Sequence, residues 1–158
     1  MDVRDALESE HAALGELCVR AYAPLGGLSD GYAASLRDVA GRAESARVLV
    51  AVDDERPLGC ATLILEGGPW RELAGADEGE FRMLAVDPEA QGRGAGEALV
   101  RACIGEARAA GRARMVLSSA PDMTAAHRLY ERLGFSRAPA RDWSPVAGVQ
   151  LAAYVLEL

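Results

Sequence analysis

The residues Gln91-Gly92-Arg93-Gly94-Ala95-Gly96 alternate glycine with other types between an apolar run and a helical one. Glycine has no Cβ, so a ligand can approach the backbone closely there. A helix start offers N–H groups without internal partners, at the positive end of the helix dipole. Together these features make a backbone cradle for an anion, most often phosphate. The chemistry on offer is therefore that of a phosphate-bearing ligand.

The cradle needs a strand before it and a helix after it, and both are legible. Glu80 to Val86 reads as a central strand, closed by Asp87-Pro88. After the turn, Leu99, Val100, Cys103, Ile104 and Ala107 form one helical stripe, and Gly111 stops it. Met115-Val116-Leu117 reads as a short buried strand ending at Ser118-Ser119. Strand, helix and strand in that order predict a parallel crossover.

Upstream, Val3 to Ala6 reads as a first strand and about Ser9 to Tyr22 as a helix ended by Pro24 and Gly26-Gly27. Ser29 or Asp30 caps a second helix with Tyr32, Leu36 and Val39 on one face. Val48 to Val52 and Leu58 to Leu65 read as a hairpin across Asp53-Asp54-Glu55. Gly67 to Gly79 reads as a loop containing Trp70. Downstream, Pro121-Asp122 opens a helix with Ala126, Leu129, Tyr130 and Leu133 at helical spacing, ended by Gly134. Val149, Leu151, Ala153 and Val155 then alternate as in a last strand. The expectation is one α/β domain over residues 1–158, with helices covering a mixed sheet.

Composition narrows the function classes. A formal net charge of −7 argues against general nucleic-acid binding, which needs a basic face, and is compatible with a cationic substrate. No apolar run reaches the length of a membrane span, and the acidic start does not look like a signal peptide. Cys18, Cys60 and Cys103 show no CxxC spacing and read as reduced, buried thiols rather than a disulfide framework or metal site. The expected setting is cytoplasmic, with no metal. All 17 basic residues are arginine. That excludes a P-loop lysine and with it a Walker-type nucleotide site. A Rossmann site would want an acid at the end of the next strand, where Ser118-Ser119 stands.

Gln91-x-x-Gly94-x-Gly96 after Arg82-Met83-Leu84-Ala85-Val86-Asp87-Pro88 resembles the acetyl-CoA signature of the GNAT superfamily of N-acetyltransferases. Ala126-His127-Arg128-Leu129-Tyr130-Glu131-Arg132-Leu133-Gly134-Phe135 resembles its second motif, in matching order and spacing. The resemblance covers most of the chain, more loosely near its start. It implies a bacterial enzyme with a mixed, mostly antiparallel central sheet flanked by helices, and one parallel strand-helix-strand unit around the acetyl-CoA site. Arg141-Asp142-Trp143 and Leu151-x-x-Tyr154 look like a bacterial subgroup of the family but carry no assigned chemistry. The family often has an asparagine at the start of the second motif. Met123 stands there, with Thr124 as its possible substitute.

The resemblance implies roles as well. N–H groups from Gln91, Gly92, Arg93, Gly94, Ala95 and Gly96 would hold the pyrophosphate, and Leu84, Ala85 and Val86 the pantetheine arm. Thr124, Ala126 and Arg132 would complete the cofactor contacts, and Arg93 and Arg132 could pair with phosphates. A backbone N–H of Leu84 or Ala85 would polarise the thioester carbonyl, a donor of the kind worth roughly 3–4 kcal/mol in a transition state. Tyr130 is the proposed general acid, since a phenol with a reference pKa of about 10 is protonated at neutral pH. Glu80 is the proposed base, ahead of Asp77 and Glu78, or else a solvated strand-end carboxylate. His127 reads as structural and His11 as surface.

Tyr32, Trp70 and Trp143 could line the acceptor site, with Trp70 alternatively a lid over core. The expected partner is a small-molecule or peptide amine, with neither nucleic acid nor membrane, for a monomer or homodimer. The expected reaction is acetyl transfer from acetyl-CoA to a primary amine by direct attack in a ternary complex. A non-catalytic acyl-CoA-binding or sensor module on the same fold is the alternative.

Overall fold

The computed structural model describes residues 1–26 and 28–158. Seven strands form one sheet in the order β1-β2-β3-β4-β5-β7-β6. They are β1 Asp2–Asp5, β2 Arg47–Asp53, β3 Arg56–Ile64, β4 Glu78–Val86, β5 Arg114–Ser119, β6 Ser136–Arg137 and β7 Ala152–Glu157. Among the described residues only β4 and β5 run parallel, and every other pair is antiparallel. The expected mixed, mostly antiparallel sheet with one parallel crossover is therefore present.

The helices are α1 His11–Tyr22, α2 Asp30–Arg37, α3 Val39–Ser45, α4 Ala95–Ala109 and α5 Thr124–Arg132. Two apolar layers cover the sheet. Leu99, Val100, Cys103, Ile104 and Ala107 of α4 and Tyr130 of α5 pack on one face against Leu49, Leu63, Phe81 and Leu117. Leu14, Leu17 and Cys18 of α1 with Leu36 and Val39 pack on the other, against Val48, Val50, Met83 and Ala85. α1 and α2 meet closely at Gly15, where a Cβ would lie 2.7 Å from the Arg37 carbonyl oxygen. Among the described residues no helix is long and apolar enough to cross a membrane.

Several boundaries differ from the sequence reading. The second helix is two, broken at Asp38, whose carboxylate caps α3 by accepting the Gly41 N–H at 3.0 Å. This local hydrogen bond competes with helix continuation, as aspartate commonly does. α1 ends in a 3-10 turn over Ala23–Leu25, which suits Pro24; the expected stop at Gly27 lies outside the described residues. The last strand begins at Ala152, and only Leu151 before it pairs, as a bridge to Trp143. Cys18, Cys60 and Cys103 are buried free thiols.

Arg42 is fully buried, which composition could not have foretold. Its Nε donates to Thr62 Oγ1 at 2.9 Å, it also donates to the Ser35 and Leu36 carbonyls, and it lies 5.9 Å from the Trp70 ring centroid. A buried guanidinium needs such partners because desolvation otherwise expels it.

Candidate active site

β4 and β5 pair only from Glu78 to Glu80, against Arg114 to Val116. Past that point the strands splay, and Phe81 to Leu84 and Leu117 to Ser119 line a narrow cleft between them with Tyr130 and Met123. A bulge in β4 sits at the same place. Thr62 pairs with Arg82 and Cys60 with Ala85, so Met83 and Leu84 stand opposite Ala61 alone. Met83 takes up the distortion at φ +54°, a left-handed backbone rare for a long side chain. The extra residue reverses the strand's alternation: Phe81 packs with α4 and α5, whereas Met83 and Ala85 pack with α1 and α2. Gly59 permits the close approach beside the bulge, since a Cβ there would lie 2.5 Å from the Ala85 carbonyl oxygen. The Tyr22 hydroxyl donates to the Leu84 carbonyl at 3.1 Å.

The glycine turn lies at the end of this strand. Asp87 accepts the Glu89 N–H at 3.0 Å and pairs with Arg20, fixing the exit from β4. Gly92 and Gly94 have φ of +79° and +86°, and no atom lies within 4 Å of where their Cβ atoms would be. Among the described residues, no internal acceptor takes the N–H groups of Gln91 to Glu97. An open run of free N–H groups at the start of a 15-residue helix fits a pyrophosphate. Gly96 sits against Val86 and Leu129, so the cradle adjoins both β4 and α5. Arg93 pairs with Asp53, and Arg132 with Glu97 at 3.1 Å, so either would have to exchange a carboxylate for a phosphate. Thr124 and Ala126 occupy the first turn of α5, and Met123 is its N-cap without a side-chain cap.

A cavity of about 480 Å³ opens beside the cleft. The two share Tyr22, Arg82, Met83, Ser118, Ser119 and Met123 on their walls. Tyr32 lines the larger cavity, and its ring meets that of Tyr22 edge-on at 6.0 Å. Trp70 is off the wall, its ring occupied by Arg42. Trp143 stands behind the wall and donates its indole N–H to Ser118 Oγ at 3.2 Å. The neighbouring Ser119 Oγ lies 3.0 Å from His127 Nε2, and the His127 ring rests 5.3 Å from that of Tyr154.

The carboxylates are arranged otherwise than the sequence reading expects. Glu80 is fully buried, so a solvated strand-end carboxylate is ruled out. Its Oε1 accepts the backbone N–H groups of Glu72, Leu73 and Ala74 at 3.0, 3.1 and 3.2 Å, and its Oε2 is buried without a partner. Glu72, which the sequence reading passed over as loop, lies on the cavity wall and pairs with Arg82 Nε at 2.7 Å. Burial raises the Glu72 carboxyl above its ordinary range, partly offset by Arg82 and reinforced by Glu80. Nothing in the local sequence marks Glu72, because its place depends on the loop folding back over β4. Glu78 is buried between Arg141 and Arg114, which hold its carboxyl down at about 2. Arg141 also donates to the Leu73 carbonyl at 3.1 Å, and Asp142 pairs with Arg137 and accepts the Ala153 N–H. The Arg141-Asp142-Trp143 run thus has structural work to do: it fastens the β3–β4 loop and braces the cavity wall.

Tyr130 lies in the cleft wall, its ring packed edge-on against Phe81 at 5.8 Å. Burial, with smaller contributions from Cys103 and Tyr154, raises its phenol well above the ordinary value, so it stays protonated throughout the neutral range. Among the described residues no His, Cys, Asp or Glu cluster could hold a metal ion.

A sheet splayed at its one parallel pair, with a free N–H cradle beside the split, is the architecture expected of an acetyl-CoA-dependent acyltransferase. The chain belongs to the acetyltransferase (GNAT) family, which it matches over residues 11–135. A mycothiol acetyltransferase of Gordonia bronchialis is 42% identical over 73 residues, 46% of this chain and 24% of that protein. The chain thus spans about a quarter of that relative's length. Among solved structures, a putative acetyltransferase from Salmonella typhimurium with its cofactor acetyl-CoA is 24% identical, with a TM-score of 0.71 over 99% of this chain and 93% of that one. A ribosomal-protein-alanine N-acetyltransferase from Brucella melitensis is 20% identical, with a TM-score of 0.71 and full coverage of both chains. At these identities the structural likeness establishes the fold.

Proposed function

We propose that this protein is an N-acetyltransferase that moves the acetyl group of acetyl-CoA to a primary amine by direct attack in a ternary complex. The observation that carries this reading is the free N–H run of Gln91 to Glu97, beside a cleft that shares its wall with a larger cavity. The N–H groups from Gln91 to Gly96 hold the pyrophosphate, and Leu84 to Val86 bind the pantetheine arm along the splayed edge of β4. Thr124 and Ala126 flank the arm from α5. Bound acetyl-CoA supplies an activated thioester. A backbone N–H at the β4 bulge, from Leu84 or Ala85, polarises the thioester carbonyl.

The amine occupies the cavity beneath Tyr32 and surrenders one proton to a carboxylate, with Glu72 on the wall and Glu80 behind it. The neutral amine so formed bonds through its nitrogen to the carbonyl carbon, the carbon–sulfur bond breaks, and the surplus proton on the new amide nitrogen passes to solvent. Tyr130 donates its hydroxyl proton to the departing sulfur, a role its place in the cleft wall supports. A small-molecule acceptor agrees with the mycothiol acetyltransferase relatives. A cytoplasmic setting agrees with three free thiols, two of which lie with sulfurs only 3.4 Å apart and unbridged.

Calorimetric titration with acetyl-CoA, with CoA and NAD as controls, tests the reading. Selective binding near the micromolar range, about −8 kcal/mol, is expected. NAD binding in place of CoA, or no binding, would overturn it.

A further inference from the structure

The cavity wall differs sharply from one part to another. Leu25, Leu28, Met83, Pro145, Val146 and Val149 make most of it apolar. Val146 is 62% exposed and Val149 41%, on the same rim as Leu25 and Tyr32, so the apolar surface continues to the mouth. Three of the wall's serines already hold one hydrogen bond each: Ser29 accepts the Tyr32 N–H, Ser118 the Trp143 indole N–H, and Ser119 bonds His127. The charged side chains on the wall are Glu72, Arg82 and Asp122. Arg82 pairs with Glu72 and donates to the Trp70 carbonyl, and Asp122 leaves the wall with a net negative charge.

Of the two carboxylates on the wall, Asp122 is exposed, whereas charge is screened less at the part-buried side chain of Glu72, which Arg82 already pairs. The Glu72 side chain is 25% exposed, whereas Glu80 is fully buried and absent from the wall. Three backbone hydrogen bonds to Glu80 and the Arg141 contact to Leu73 hold its loop rigidly. Burial raises the Tyr32 phenol, with nearby Arg82 opposing the rise and Glu72 adding to it. A carboxylate beside an aromatic pair is a setting for an ammonium group, through charge and ring faces together.

We infer that the acceptor is a primary amine on an apolar body, with Glu72 receiving the ammonium group and Leu25, Leu28, Tyr32, Pro145, Val146 and Val149 enclosing the body. This rests on the acetyltransferase reading above. An apolar body gains by leaving water, whereas a polyhydroxylated one would leave hydroxyls unpaired against these walls.

The test uses the wild-type protein with acetyl-CoA, following thiol release with phenethylamine and with glucosamine, after acetyl-CoA binding has been measured by calorimetry. Phenethylamine is expected to have at least a tenfold higher kcat/KM. Equal or better turnover of glucosamine would overturn the inference, as would turnover of neither amine by protein that binds acetyl-CoA. Failure to bind acetyl-CoA would instead overturn the acetyltransferase reading, and the inference with it. Glu72→Gln is expected to weaken phenethylamine binding, measured by calorimetry without acetyl-CoA, at least tenfold while leaving acetyl-CoA affinity within twofold. Unchanged phenethylamine binding in this variant would remove Glu72 from the role.

Discussion

Glu80 lies directly behind Glu72: its Oε1 accepts the Glu72 backbone N–H at 3.0 Å, and the N–H groups of Leu73 and Ala74 beside it. One buried carboxylate thereby orders the loop that presents another to the cavity. A carboxylate accepting several backbone N–H groups is strongly held, and deleting it strands those donors. Glu80→Ala should therefore cost about 3 kcal/mol of stability by urea unfolding. Glu80→Gln, which keeps one oxygen for the loop, should cost clearly less and retain acetyl transfer within about tenfold of wild type. A Glu80→Gln enzyme that is fully folded yet inactive would show that Glu80 itself takes the proton.

Tyr130→Phe keeps the ring that packs against Phe81, Phe135 and Tyr154 and removes only the hydroxyl. We expect kcat to fall about a hundredfold, within the range for loss of a general acid, with acetyl-CoA affinity unchanged. Because the phenol is pushed up by burial, no alkaline loss of activity below about pH 9 should trace to this residue. A pH–rate profile of wild type and variant checks both statements, and an undiminished kcat across it would exclude Tyr130 as the acid.

Two glycines of one helix region should respond oppositely to alanine. Gly94 caps α4 at φ +86°, so Gly94→Ala should cost about 1 kcal/mol of stability and place a methyl group in the cradle. Its acetyl-CoA affinity should fall fivefold or more in calorimetry. Gly105 lies exposed within α4 with open space around it, so Gly105→Ala should stabilise by up to about 1 kcal/mol and leave binding alone. Equal binding by both variants would mean that the turn does not hold the ligand.

Glu78 gives the fold an acid limit. Its carboxyl is held down at about 2 by Arg141 first and then by the Gly75 N–H and Arg114, against an unfolded value of about 4.3. A depressed folded pKa stabilises above the unfolded value, and the gain is lost as pH falls from about 4 toward 2. Glu78→Gln should therefore destabilise by about 2 kcal/mol at pH 7, a figure discounted because both arginines are about one-third exposed. The gap to wild type should shrink markedly at pH 3 in urea melts at the two pH values. A gap independent of pH would mean that packing, not charge, supplies the effect.

Local signals were enough for the ligand cradle. Free N–H groups at a helix start, and glycines at φ that other residues resist, are properties of a few consecutive residues, so Gln91 to Gly96 could be read directly. The strand before it, the helix after it and the second motif with Tyr130 follow from periodicity and spacing in the same way, and they lead to the GNAT family that the chain matches. The acceptor side was not legible in this manner. A one-residue bulge at Met83 reverses which face every later β4 side chain meets, and no pattern of apolar residues announces it. Trp70 left the cavity because a buried Arg42 claimed its ring, and Trp143 stepped behind Ser118 for a hydrogen bond. Glu72 reached the wall because Glu80 and Arg82 of β4 and the distant Arg141 all anchor the same loop. Short-range backbone chemistry determined where the free N–H cradle lies; long-range satisfaction of buried charges and N–H groups decided which carboxylate faces the cavity.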